Sequence, residues 1–518
     1  MFHPMRFELQ KTHNEQALFS ALKAHYSSKE ERKTQKNSVL YDTFDWRLYN
    51  KSLSLSHSGN VLSVKKIIDG SPVDSITTST VPKFVWDLPD SSLKRQLQPI
   101  LEMRALLKIL EIHICATPIR VLNEDEKTVA LFIREESSIV NQKNKTVFLF
   151  YLHLKAVRGY EAEAKHLVEI LEATGLALSQ ESVYKKALAA AGREAGAYSA
   201  KLNLALHPGM RSDEAAKAIL RFLLNVMKQN EDGIKRDIDT EFLHDFRVAI
   251  RRTRSALSQI KNVFPEKITT RFKNGFSDLG KSTNQLRDLD VYLLHADEYK
   301  NMLPIQLRAE IDPLFDKLEE EREKALQNVT AVLDSPEYTV ILRDWQAFLN
   351  QPPATTVTAP NAAVPVIRLA KKRIHKRYGL IIKNGSEITA TSEDRLFHRL
   401  RIECKKLRYL LEFFSSLFAI EKVNYLIKQL KKLQDNLGRF QDLCVQEEEL
   451  QNFIDAISLK NHRARKTIAA IGSLIGTLDR EKQTVRAQFA EIIAEFASDG
   501  NSKVFQELFK SKRNEDIS

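Results

Sequence analysis

A chain of 518 residues, 43% hydrophobic and 28% charged, has material for two to four ordinary globular cores. Lys and Arg number 79 against 67 Asp and Glu, a formal net charge of +12, which points to polyanionic partners: nucleic acid, an anionic membrane surface or free phosphate chains. Three scattered cysteines, Cys115, Cys404 and Cys444, give no disulfide framework or metal-ligand spacing, no apolar run approaches the roughly 20 residues that span a bilayer, and the first ten residues lack a signal-peptide core, so the expectation is a soluble cytoplasmic protein.

The first 195 residues are dominated by short β-rich runs: Val39–Asp45, Lys51–Leu55, Val61–Ile68, Leu107–Ile114, Thr128–Ile133 and Thr146–Lys155. Turn clusters separate them, such as His57-Ser58-Gly59-Asn60 and Asn141-Gln142-Lys143-Asn144. Helical patterns fit Glu15–His25, Tyr160–Thr174 and Glu181–Ala191. The pattern predicts an α+β domain built on a mostly antiparallel sheet.

Tyr41-Asp42-Thr43 with Leu48 and Leu53-Ser54-Leu55, then Leu152-His153-Leu154-Lys155, Tyr160-Glu161-Ala162-Glu163, Ile170-Leu171-Glu172 and Ser182-Val183-Tyr184-Lys185-Lys186-Ala187, resemble the CYTH, or triphosphate tunnel, family over residues 1–195. The resemblance implies a tunnel, here an incomplete one. It departs from the family at the residues that matter for hydrolysis. The opening Glu-x-Glu-x-Lys becomes Arg6-Phe7-Glu8-Leu9-Gln10, the Leu-Arg-x-Arg strand becomes Leu53-Ser54-Leu55-Ser56, and His153 stands where a later carboxylate is expected. Hydrolysis in such a tunnel needs several carboxylates to hold Mg²⁺ or Mn²⁺. Lys65, Lys66, Arg134 and Lys155 remain as cations for an anion, although exposed strand charges are the commoner meaning of such residues.

From Asp213 the chain reads as helix almost continuously: Asp213–Gln229, Glu241–Val263, Lys267–Gln285, Asp290–Tyr299, Pro304–Leu333 and Tyr338–Leu349. A Pro/Thr/Ala linker follows at 351–365. Helices resume at Val366–Lys383, Glu393–Phe418, Lys422–Asn436, Leu443–Leu459 and Asn461–Phe496, and the polar tail after Asp499 is expected to fray.

The stretch His244-Asp245-Phe246-Arg247-Val248-Ala249-Ile250-Arg251-Arg252-Thr253-Arg254 organises this half. At about 100° per residue, His244, Arg247, Arg251 and Arg254 share one face within about 80°, a basic stripe about 15 Å long. Phe246, Ala249, Leu257 and Ile260 point the other way. The pattern returns at an offset of 154: His398, Arg401, Lys405 and Arg408. At the same offset Leu286-Arg287-Asp288-Leu289-Asp290 meets Phe440-Gln441-Asp442-Leu443-Cys444, Lys217 meets Lys371 and Arg221 meets His375, all without a gap. A cluster duplicated at one offset is an internal repeat, and two long-helix groups predict two bundles, each with its own core.

These motifs, with Arg287-Asp288-Leu289-Asp290-Val291 and the second copy from His398 to Tyr409 with Gln441-Asp442, resemble the CHAD family over residues 212–510. The resemblance implies two four-helix bundles (212–350 and 366–510) related by a pseudo-twofold, a basic channel between them, and binding of inorganic polyphosphate, with polyphosphate granules as a further partner it allows. The site residues it suggests are Lys217, Arg221, His244, Arg247, Arg251, Arg252, Arg254, Arg287, Lys371, His375, His398, Arg401, Lys405, Lys406, Arg408 and Tyr409.

His244 and His398 have no second ligand at metal spacing and no nucleophile beside them, so donation to a phosphate oxygen is favoured over metal binding or catalysis, with packing as the other reading. Arg252 and Lys406 sit about 80° beyond the stripe's edge and either flank it or face solvent. Asp288 and Asp442 suit helix capping or pairing with the stripe. No metal or other cofactor is implied. A metal-dependent triphosphatase in the front domain fed by the helical half, or a general nucleic-acid binder, are the alternatives. Nucleic acid is disfavoured because base-stacking aromatics are not interleaved with the stripe.

Overall fold

A computed structural model of the chain describes residues 5–9, 14–141, 144–176, 178–179, 182–352, 359–457 and 462–510. The chain forms two compact units, residues 1–199 and 200–518. The expected turn at 141–144 and the linker at 351–365 lie partly outside the described residues.

The first unit is a nine-stranded antiparallel sheet. Its strands are β1 (Met5–Glu8), β2 (Ser27–Glu30), β3 (Thr34–Asp42), β4 (Leu53–Ser58), β5 (Val61–Lys66), β6 (Pro72–Thr77), β7 (Leu107–Leu122), β8 (Thr128–Asn141) and β9 (Asn144–Ala156). The order is β1-β9-β8-β7-β3-β4-β5-β6, with β2 also on β7. The β4–β5 turn falls where the sequence places it, through Gly59 at φ +60°, a backbone that glycine adopts without strain. β2, β6 and the helix at 92–101 have no counterpart in the sequence reading; β2 is exposed throughout and β6 over most of its length.

Four helices cover this sheet: α1 (Asn14–Lys23), α2 (Ser92–Leu101), α3 (Glu161–Ala173) and α4 (Val183–Ala190). Leu18 and Leu22 of α1, with Leu167 and Leu171 of α3, pack on Phe7, Phe132, Leu152 and Leu154. Leu93, Leu97 and Leu101 of α2 pack on Leu55, Leu62 and Val64. Tyr184 and Leu188 of α4 join Leu40, Ile109 and Ile112. The Asp42 carboxylate is fully buried and accepts the backbone N–H of Thr43 (2.7 Å), Leu48 (3.0 Å) and Tyr49 (2.9 Å). It therefore folds the Tyr41-Asp42-Thr43 motif onto the segment that follows it.

The second unit is all helix. Its first half holds α5 (Ser212–Lys235), α6 (Thr240–Gln259), α7 (Glu266–Ser282), α8 (Asn284–Leu294), α9 (Ala296–Met302), α10 (Asp312–Asp334) and α11 (Pro336–Asn350). Its second half holds α12 (Val366–Ser386), α13 (Asp394–Phe413), α14 (Ile420–Ala456), α15 (His462–Phe496) and α16 (Asp499–Phe509). The repeat survives in the boundaries. α5 and α12 start 154 residues apart (366 − 212), α6 and α13 start and end so (394 − 240, 413 − 259), and α7 and α14 start so (420 − 266).

Three expectations are corrected here. The helices expected at Lys422–Asn436 and Leu443–Leu459 are one continuous helix, α14, whereas the corresponding part of the first half breaks at Thr283 into α7 and α8. The helix expected from Pro304 begins only at Asp312, with Pro313 in its first turn. The tail expected to fray after Asp499 is the helix α16 as far as Phe509, and its last residues, 511–518, lie outside the described residues. Its Phe505 and Phe509 are buried, and Phe505 stacks on Tyr378 at 3.8 Å.

The two halves meet through a symmetric pair of bonds. Ser212 N donates to Val364 O (3.0 Å) and Val366 N donates to Met210 O (2.8 Å). Exchanging the halves at the offset of 154 turns one bond into the other, as a twofold requires.

Candidate functional site

Asp239 caps α6 by accepting the N–H of Glu241 (3.0 Å) and Phe242 (3.3 Å). The apolar face of α6 is buried: Phe246 is 0% exposed and Ala249, Leu257 and Ile260 are at most 5% exposed. The corresponding face of α13 buries Phe397, Leu400, Cys404 and Leu407. With those faces committed to their own bundles, the basic stripes are left at the surface of each helix. α6 and α13 pack against each other, so the stripes are neighbours. Arg251 is close enough to depress the pKa of both Arg401 and Lys405. Lys405 is the repeat counterpart of Arg251 (405 − 251 = 154).

Most of the stripe is half-buried: His244, Arg247, Arg251, Arg254, Arg401, Lys405 and Arg408, with His398 exposed. Burial, then Arg251, pushes Arg247 down to about 10. Burial, then Arg401 and Arg251, pushes the Lys405 amine down to about 8. Burial also lowers Arg401 and Arg287, in the latter against the pull of Glu241. Such shifts mean that the cationic forms are under-compensated by the protein.

The cations differ in how far they are tied down. Arg247 donates to Gly280 O (3.1 Å), Thr283 Oγ1 (2.7 Å) and Asn284 Oδ1 (2.9 Å). Arg401 pairs with Asp442 at 3.4 Å, and His398 Nδ1 lies 2.6 Å from Gln441 Oε1. Arg408 donates to Glu412 (2.8 Å). Arg251, Arg254 and Lys405 have no hydrogen-bonded or ion-paired side-chain partner among the described residues, and the Nε of both arginines is buried without an acceptor.

Other residues suggested by the sequence are engaged within the protein. Arg252 donates to Ala200 O (2.9 Å) and Glu412 (2.7 Å) and lies over the Tyr409 ring at 5.9 Å. Lys406 donates to Glu403 (2.8 Å). Lys217 donates to Gln351 O (2.7 Å) and Arg221 to Leu349 O (2.8 Å), so both serve the C-terminal carbonyls of α11. Of their counterparts on α12, Lys371 is half-buried and His375 exposed. Burial raises the Asp288 carboxyl, although Arg247 and Arg287 lower it. Sequence reasoning missed Glu403, on the flank of α13 away from the stripe, and Glu412, beyond its end, and missed Arg373 and Arg377 of α12.

Three carboxylates of the front unit each lie beside a basic side chain. Glu8 pairs with Lys186 (2.6 Å), Glu135 with His153 (3.3 Å) and Glu111 with Lys108 (2.6 Å). Among the described residues there is no group of three or more His, Cys, Asp or Glu placed to hold a metal. Lys65, Lys66 and Lys155 are exposed, and Arg134 pairs with Glu30 at 3.4 Å.

Residues 218–451 match the family model of the CHAD domain. No curated protein matches the chain. Among solved structures, the CHAD domain from the plant Ricinus communis is 26% identical, with 57% of this chain and 96% of that one covered at a TM-score of 0.48. PptA from Streptomyces chartreusis is 16% identical, covering 54% and 98% at 0.41. The putative adenylyl cyclase HpAC1 from Hippeastrum, described as having a dominant triphosphatase activity, is 14% identical, covering 37% and 96% at 0.24. The matched stretch contains both basic helices, α6 and α13, and on that match residues 218–451 of this chain are a CHAD domain.

Proposed function

We propose that the helical half binds inorganic polyphosphate along the path where α6 and α13 bring their basic stripes together. The observation that carries this reading is the unpaired trio Arg251, Arg254 and Lys405, crowded by like charges and half-buried. Desolvated cations without partners gain most from an anion that supplies several oxygens at once. A linear polyphosphate carries roughly one charge per phosphate and offers no bases to read, so spaced cations suffice for its recognition. Tyr409, the aromatic residue of the α13 stripe, faces Arg252, which favours a phosphate chain over nucleic-acid bases.

The front unit is an accessory rather than a hydrolase in this reading, because Glu8 and Glu111 are paired with Lys186 and Lys108 and Glu135 lies against His153. The protein works in the cytoplasm, where granules would present the ligand at high density. No helix among the described residues is long and apolar enough to cross a membrane. Titration of the whole chain with long-chain polyphosphate, triphosphate and RNA of equal charge, with phosphate release followed in parallel, tests the proposal. Tight polyphosphate binding without release supports it. Equal affinity for RNA, or sustained release from triphosphate, contradicts it.

A further inference from the structure

Arg373 and Arg377 stand one turn apart on α12, and both are half-buried. The repeat places Ile219 and Leu223 at these positions in α5 (373 − 219 = 377 − 223 = 154), and both are packed in the core, 0% and 1% exposed. The second half has therefore put two guanidinium groups where the first half puts apolar side chains. Arg377 donates to Glu403 and to Gln259 of α6. Lys406 shares the same Glu403. Arg373 has no hydrogen-bonded or ion-paired partner among the described residues, and its Nε is buried without an acceptor. Arg377 and Lys406 thus share one carboxylate, with Arg373 one turn of α12 away from Arg377. Burial lowers Arg373, and burial followed by Arg373 lowers Arg377.

This cluster is not part of the facing stripes. At about 100° per residue, Lys406 and Glu403 lie about 140° and 200° round α13 from Arg401, whereas Lys405 lies about 40° from it. Arg377 on α12 meets α13 on that other flank, through Glu403, and Arg373 stands one turn away on the same helix.

We propose that Arg373, Arg377 and Lys406 form a second oxyanion site that takes a single phosphate-type group, either free orthophosphate or the end of a longer chain. Three cations less one carboxylate leave a charge of +2, which one dianionic tetrahedral group neutralises. Side chains one turn apart on a helix have Cβ atoms about 6 Å apart, a spacing that lets two forks close on one tetrahedral group. Guanidinium forks are the natural donors for it. The site stands independently of the polyphosphate reading, since it shares no residue with the Arg251, Arg254 and Lys405 trio.

The test uses the whole chain carrying Arg251→Ala, Arg254→Ala and Lys405→Ala, so that the unpaired trio no longer reports. Orthophosphate and triphosphate are titrated by calorimetry at fixed ionic strength, before and after adding Arg373→Gln. The expected result is saturable one-site binding that Arg373→Gln weakens tenfold or more, with Arg373→Lys retaining most of it. Loss of orthophosphate binding identifies the free anion as the ligand, and loss confined to triphosphate identifies a chain end. Thermal unfolding checks that each variant is folded, and Lys406→Gln is the second variant if Arg373→Gln unfolds. Absence of saturable binding to both anions, or affinities that the substitution leaves within twofold, overturns the proposal.

Discussion

Arg211 and Pro365 form an isolated antiparallel bridge, and they are the same position of the repeat (365 − 211 = 154). A residue that bridges its own counterpart lies on the twofold that relates the halves. The same operation exchanges Arg251 and Lys405, which feel each other's charge between α6 and α13. The repeat is therefore the reason that two stripes, unremarkable singly, become one concentrated field of positive charge.

Lys405 gives that field a pH dependence. Its amine is held near 8 by burial, Arg401 and Arg251, against the pull of Asp442. An anion favours the protonated form, so binding takes up a proton where free Lys405 is partly neutral. Affinity for polyphosphate is expected to be full below about pH 8 and to fall as pH rises from 8 to 9, by at most about tenfold per unit from one group. Lys405→Arg removes this dependence while keeping the charge. Calorimetric titrations at pH 7, 8 and 9 check it, and an unchanged pH profile in Lys405→Arg contradicts it.

Glu412 is expected to matter for stability more than for the ligand. It accepts from Arg252 on α6 and from Arg408 on its own helix, so it holds the two stripe helices together. Glu412→Ala should lower the stability of the helical half by about 2 kcal/mol, the scale of a charged hydrogen bond left unmade. Denaturant unfolding measures this, and polyphosphate affinity of the folded variant should fall by less than about threefold.

The front unit offers a second titration. Burial raises the Asp42 carboxyl to about 6 although three N–H groups lower it. Its folded pKa lies above its unfolded one, so the folded state binds the proton more tightly. Asp42's contribution to stability therefore increases as pH falls from about 6 towards 4. Asp42→Asn abolishes that component and also disturbs the acceptance from Tyr49 N–H, so the variant should be less stable at pH 7. Thermal midpoints of both proteins between pH 4 and 7 test this.

The same unit is expected to release no phosphate from triphosphate with Mg²⁺ or Mn²⁺. Glu8, the surviving carboxylate of the opening pair, is occupied by Lys186. Metal-dependent release from the whole chain that Glu8→Ala abolishes would contradict this expectation.

Periodicity made the helical half legible, and the ungapped offset made its repeat legible, although the helices expected at 241–263 and 393–418 form at 240–259 and 394–413. It did not show where helices break. Gly438 sits inside α14 without ending it, while Thr283 separates α7 from α8. Stripe membership was also legible, but partnership was not. Glu412 lies 160 residues from Arg252, and Gln351 lies 134 from Lys217, distances no local pattern encodes. Arg373 and Arg377 escaped notice because the comparison followed residues shared by the two halves, and these are where the halves differ. In the front unit, β2 is exposed along its length and β6 over most of it, which leaves a sequence reading little apolar pattern to use.

The account turns on the three unpaired cations. The most direct measurement compares long-chain polyphosphate binding by the parent and by the Arg251→Ala, Arg254→Ala, Lys405→Ala variant at several salt concentrations, with Lys324→Ala, exposed on α10, as the control. The variant should bind at least a hundredfold more weakly, and its salt slope should flatten by about 2, as expected when three phosphate contacts are lost at roughly 0.7 each. Lys324→Ala should match the parent. Parent-like affinity and slope in the triple variant would contradict the assignment of the ligand to the path between α6 and α13.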